Sequence, residues 1–169
     1  MLLTGIEFDD RGNYKMYTTR NNAIEFAKRT RMNLEYIESA SRRGEDVHVV
    51  TQLANSLLGL IVFPWEKEFV KYIRELKLDE LEKDGWPRIE VTIGHCQTLH
   101  DLVRHLRNAV AHGHLEFSSD SRDASTVTIT AEDYRKKNGS PANWRARIGA
   151  KSLGEFCERF MDLLEDTIG

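Results

Sequence analysis

The chain has 169 residues, 40% of them hydrophobic and 30% charged, with a formal net charge of −3. One domain of ordinary globular composition accounts for this length, and both a disordered chain and a polycation that coats nucleic acid or an anionic membrane are excluded. Two cysteines, Cys96 and Cys157, make no disulfide framework and read as thiols of a reducing compartment. The first residues lack the basic start and apolar run of a secretory signal, and no stretch nears the ~18 apolar residues of a membrane span. A cytoplasmic protein without a membrane partner is expected.

Residues 1–19 suggest a small hairpin. Ile6-Glu7-Phe8 and Tyr14-Lys15-Met16-Tyr17 flank the turn-forming run Asp9 to Asn13. From about Arg20 to Arg43 the period becomes helical: Ala23, Ala27, Thr30, Leu34, Ile37 and Ser41 recur at steps of three and four, and Gly44 follows as a stop. Val47 to Phe63 is apolar almost all round, which marks a central helix. Its polar stripe of Gln52, Asn55, Ser56 and Gly59 fits close helix packing or the wall of a polar site. Trp65, Phe69, Ile73 and Leu76 make a further apolar stripe after Pro64, with Glu66 and Glu68 as acids of its first turn. Leu78 to Gln97 reads as a polar, turn-rich connection.

Thr98 then caps a helix, with Asp101 three residues on. Beyond it the period drops to two. Leu115 and Phe117, Val127 and Ile129, and Trp144, Ala146 and Ile148 predict three short strands within 114–149. A last helix over 152–168 turns Leu153, Phe156, Phe160, Leu163 and Leu164 inward. The expected fold is a single, mainly α domain over 1–169. It is an up-and-down helical bundle of four to five helices, with its helical core over 20–112 and a small β insertion before the C-terminal helix.

Five of the six histidines fall between His95 and His114. At about 100° per residue, Leu99, Leu102, Val103, Leu106, Ala109 and Val110 of the capped helix share a core arc. Asp101, His105, Asn108 and His112 lie on the opposite face, flanked by Arg104 and Arg107. Gly113 ends the helix just after His112. Imidazole suits proton transfer near neutrality, and arginine suits a phosphate oxygen. Together they fit phosphodiester cleavage without a metal or other cofactor. Metal chelation by Asp101 and His105, with His112 and His114 assisting, is the weaker reading, because neither a His-Glu-x-x-His nor a paired Cys-x-x-Cys spacing is present. Solvated helix residues that cap or pair locally are the bland alternative.

The run Arg107-Asn108-Ala109-Val110-Ala111-His112 resembles the R-N-x-x-x-H signature of the HEPN domain. Leu106 to Gly113, and the stretch from Asn55-Ser56-Leu57-Leu58-Gly59-Leu60 to Pro64-Trp65-Glu66, look like HEPN proteins of bacterial plasmid and defence loci. The resemblance implies a helical bundle that dimerises through the motif helices and a metal-independent endoribonuclease acting in toxin–antitoxin or phage defence. RNA would be the substrate, and an antitoxin a further partner. Arg107 would contact the scissile phosphate, His112 would move protons and Asn108 would shape the site, with Arg104, His105 and His114 as substrate-binding residues. Arg107 and His112 lie about 140° apart around the helix, so a composite site shared by two copies is expected. The alternative is a non-catalytic HEPN module that binds a nucleotide or a partner protein.

HEPN toxins paired with a nucleotidyltransferase follow the motif with His-x-Tyr, and here His114 stands in the tyrosine slot. Modification of a tyrosine at that position is therefore not expected. Arg42-Arg43 and Arg135-Lys136-Lys137 are secondary candidates for RNA backbone contact. Trp65, Trp86 and Trp144 are expected in the core or at an interface.

Overall fold

The computed structural model describes residues 19–62, 67–134 and 141–168. The predicted N-terminal hairpin, the Pro64-Trp65-Glu66 segment and Arg135-Lys136-Lys137 lie outside them. Six helices and four strands are present among the described residues: α1 (Thr19–Arg42), α2 (Val49–Val62), α3 (Lys67–Ile73), α4 (Leu78–Lys83), β1 (Glu90–Ile93), α5 (Leu99–Ala111), β2 (Leu115–Phe117), β3 (Thr128–Asp133), β4 (Trp144–Gly149) and α6 (Ala150–Ile168). The mainly α character is as expected. None of the described helices is long and apolar enough to cross a membrane.

α2 is the central helix that its all-round hydrophobicity predicts. Val50, Leu53, Leu57, Leu60 and Ile61 are buried, and α1, α5 and α6 pack around it. Gln52, Ser56 and Gly59 of its polar stripe serve packing, and Asn55 is exposed. Gln52 Nε2 donates to Ser56 Oγ at 3.4 Å, and Gly59 receives the Phe26 ring of α1. A Cβ at Gly59 would lie 2.3 Å from Phe26 Cζ, so only a hydrogen leaves room for this contact. α1 and α6 are clasped at their surface by Arg31, whose guanidinium donates to Glu158 at 2.7 Å and to Asp162 at 2.9 Å. Below that clasp α6 buries Leu153, Phe156, Phe160, Met161 and Leu164. Phe160 meets Phe69 of α3 edge to face.

The β component departs from expectation. Leu78 to Gln97 is more than a connection: it contains α4 and β1. β1 joins the three predicted strands in an antiparallel sheet of order β1-β4-β3-β2. The sheet therefore draws on chain from both sides of α5 and is not confined to an insertion before the last helix. β1 carries mixed residues, half-buried on alternate positions, and only its pairing with β4 gives it strand form. In β3 the inward positions are Ile129, Ala131 and Asp133; in β4 they are Trp144, Ala146 and Ile148. α5 packs across β3, so its second face is largely covered.

Both cysteines are free, Cys157 fully buried and Cys96 half-buried. Burial pushes each thiol up to about 12, which makes them poor nucleophiles.

Candidate functional site

α5 starts and stops as its sequence dictates. Thr98 in extended conformation accepts a hydrogen bond from the Asp101 backbone N–H, which satisfies one of the orphan donors of the first turn. At the other end His112 is the C-cap, and the Gly113 N–H donates to Val110 O and the His114 N–H to Ala109 O at 2.8 Å. This closure needs a left-handed residue after the cap, and Gly113 supplies it with φ 70°.

The predicted core arc is buried, apart from half-buried Val110. The predicted polar face is divided. His105, expected on a face away from the core, is 6% exposed. Its ring stacks on Trp144 at 4.8 Å with planes 6° apart, and its Nδ1 lies 2.7 Å from Asp133 Oδ2. Asp133 and Trp144 are cross-strand partners, so the end of the β3–β4 ladder presents a carboxylate beside an indole, and His105 docks on both. The Arg104 guanidinium reaches His105 Nε2 at 3.2 Å. A guanidinium can only donate, so Nε2 accepts and Nδ1 carries the proton given to Asp133. Asn108 Nδ2 donates to the same Asp133 oxygen at 3.1 Å.

Arg104, His105, Asn108, Asp133 and Tyr134 line one cleft with Gly94, His95 and Asn143, about 350 Å³ in volume. Arg107 and His112 are not among its lining residues. Arg107 is half-buried, and His112 is exposed beyond the helix end. A run of rings connects His112 to the cleft: His112 to His114 at 5.9 Å, then His114 to the cleft residue Tyr134 at 4.7 Å. The structure thus gathers Arg104, His105 and Asn108 into one cleft and sets His114 behind it, while Arg107 and His112 stand on other faces of the helix.

Tyr134 donates to Glu132, which also receives Arg145 Nε at 2.5 Å. The Tyr134 hydrogen bond, aided by Arg145, holds the Glu132 carboxyl below its ordinary range, and the same bond raises Tyr134. His100 is half-buried, 3.8 Å from the Asp101 carboxylate. Its pKa is lowered, chiefly by burial and then by the charge of Arg74. Among the described residues no three His, Cys, Asp or Glu side chains are grouped to hold a metal ion. Arg42 and Arg43 pair locally with Glu38 and Glu45.

The cleft residues that the sequence reading missed are Asp133, Tyr134, Asn143, Gly94 and His95. Asp133 left a signal: it sits in phase with Ile129 and Ala131, a charge at a core-facing strand position. Such a residue needs a buried partner. His95 belonged to the histidine cluster without an assigned role, and Gly94 left no signal, because the strand that delivers them was not recognised.

Compared with known families, the chain matches the model of the family described as HEPN pEK499 p136 over residues 13–169. That is nearly its whole length. The chain belongs to the HEPN pEK499 p136 family. No curated protein and no solved structure matches it significantly. Membership in this HEPN family suggests a nuclease or RNA-related role and places the R-N-x-x-x-H run of α5 inside a HEPN domain.

Proposed function

We propose that this HEPN protein is a metal-independent endoribonuclease whose chemistry is carried by Arg107, Asn108 and His112. The observation that carries the reading is the end of α5. There His112 is solvent-exposed at the C-cap, and Asn108, one turn earlier, is tethered to Asp133. A titratable group in reach of substrate and a polar group held in one orientation are what a proton-transfer site needs.

In the proposed reaction His112 removes the proton from a ribose 2′-hydroxyl. The oxygen attacks the adjacent phosphorus, and the P–O5′ bond breaks. The imidazolium so formed at His112 returns the proton to the departing 5′-oxygen. The products are a cyclic phosphate and a 5′-hydroxyl end. Arg107 neutralises the charge that builds on the non-bridging oxygens. The angular separation of Arg107 and His112 supports a site built from Arg107 of one protomer and His112 of the other. A bacterial toxin–antitoxin or phage-defence setting, with an antitoxin as partner, fits such an activity.

One observation favours a second reading, a non-catalytic module that binds a nucleotide. Arg104, His105 and Asn108 converge in a cleft of about 350 Å³, within the usual range for a small-ligand site. The two readings separate at His112. Purified native protein is expected to cut a mixed RNA pool in EDTA, and His112→Ala is expected to be inert. Equal cleavage by both would remove His112 from the chemistry. Absence of cleavage by a folded native dimer would favour the binding module.

A further inference from the structure

The proposed chemistry uses one side of Asn108 and leaves the cleft on its other side without a role. We infer that this cleft holds one unpaired nucleobase of the RNA and reads it through the N–H donors on its edge, selecting where the chain is cut. The consequence for cutting rests on the ribonuclease reading; the binding itself does not.

Three observations carry the inference. Asn108 belongs both to the motif and to the cleft wall, so a nucleotide whose phosphate is at the motif has its base beside the opening. Charge then decides what enters. Arg104 stands at the rim, half exposed, and Asp133 lies buried in the wall. A phosphate drawn by Arg104 would be repelled by the Asp133 carboxylate, whereas a neutral base meets no such opposition. Finally, Asn143 Oδ1 is buried with no hydrogen-bond partner among the described residues. A buried acceptor left unpaired carries a desolvation cost, which a turn of the Asn143 amide into the cleft and an incoming N–H would remove.

The cleft is also built to keep its shape. His105 is locked between Asp133 and Trp144, and Arg104 rests on it. Its guanidinium plane can turn from the imidazole to cover a base, the usual way in which arginine stacks on unpaired RNA. Guanine, adenine and cytosine offer an exocyclic amine to the Asn143 acceptor. Uracil flanks its single N–H with two carbonyls and would set acceptor against acceptor. Amino-bearing bases are therefore selected over uracil.

Random-sequence RNA cut by the native protein, by Asn143→Ala and by Arg104→Gln tests this, with the new 5′-hydroxyl ends sequenced and each protein's fold checked by thermal melting. In parallel, GMP, AMP, CMP and UMP are titrated against the side-chain amide NMR signals of Asn108 and Asn143. The native protein should show an amino-bearing base at one fixed position from the cut and should bind UMP most weakly. Asn143→Ala should lower that discrimination at least about fivefold, the value of one good hydrogen-bonded base contact, whereas Arg104→Gln, which removes only the stacking plane, should weaken all four monophosphates together. Cutting without base preference, unchanged preference in Asn143→Ala, unchanged monophosphate binding by Arg104→Gln, or UMP bound as tightly as the rest would overturn the inference. Should the native protein cut no RNA, the ribonuclease reading fails and the monophosphate titration still decides the pocket. Should Asn143→Ala not fold, Asn143→Leu, which keeps the volume and removes the acceptor, decides in its place.

Discussion

Asp133 Oδ2 accepts two hydrogen bonds from one face of α5, from His105 Nδ1 at 2.7 Å and from Asn108 Nδ2 at 3.1 Å. His105 and Asn108 are three residues apart and so lie one above the other on the helix. A single carboxylate at the end of β3 therefore sets the rotation of α5 against the sheet and the orientation of the motif asparagine together.

Replacement of Asp133 should show both effects. Asp133→Ala leaves the buried His105 N–H without an acceptor and frees the Asn108 amide. A loss of about 1–3 kcal/mol is expected for such an orphaned group, measurable by urea denaturation. The NMR signal of the shielded His105 Nδ1 proton should vanish as well. Unchanged stability would mean that water replaces the carboxylate at no cost.

A shared site makes a quantitative demand on mixed dimers. Arg107→Ala and His112→Ala should each abolish cleavage alone. Mixed in equal amounts and allowed to exchange, they form heterodimers in which one of the two composite sites is whole. Random pairing then restores about a quarter of the native sites. No recovery, in a sample where exchange is demonstrated by mass, would place both residues in one protomer's site. Because the His112 side chain is exposed beyond the helix end, His112→Ala should change stability by no more than ~0.5 kcal/mol.

The Tyr134–Glu132 hydrogen bond predicts a stability window. Glu132 is held below its ordinary value of 4.5, so its contribution is present above that pH and is lost as pH falls through the depressed value. Tyr134 is raised above 10.0, so its contribution is present below pH 10 and is lost as pH rises through the raised value. Tyr134→Phe should therefore destabilise the protein at neutral pH, and the difference from native should close at both extremes. Melting temperatures across pH check this. So does ultraviolet titration, in which the native protein should show one late-ionising tyrosine that the variant lacks.

Gly59 and Phe26 fix the spacing of α1 and α2. Gly59→Ala places a methyl 2.3 Å from the Phe26 ring, which forces the ring or a helix to move. Overpacking of this kind costs about 1–3 kcal/mol. Phe26→Leu should recover part of the loss in the double variant, read as a coupling in a thermodynamic cycle. Strict additivity would show that the ring already has room to turn.

The sequence by itself determined the helices α1, α2, α5 and α6 and the strands β2, β3 and β4, because each carries its own period, cap or stop. It also determined the motif, since Arg107, Asn108 and His112 are local to one helix and Gly113 gives the stop signal beside them. α4 and β1 were not legible. Their residues have no strong period of their own, and they take shape from contacts far along the chain, β1 from its ladder with Arg145, Ala146 and Arg147. The tertiary structure alone decided which side of α5 is open. A helical wheel places His105 beside His112 on a polar face, but the wheel does not show the sheet. Once β3 and β4 pack there, a polar face becomes an interface. His105 is then buried between a carboxylate and an indole that stand 28 and 39 positions further along the chain. Periodicity reports what one element prefers to bury, and a site is made where elements distant in sequence meet.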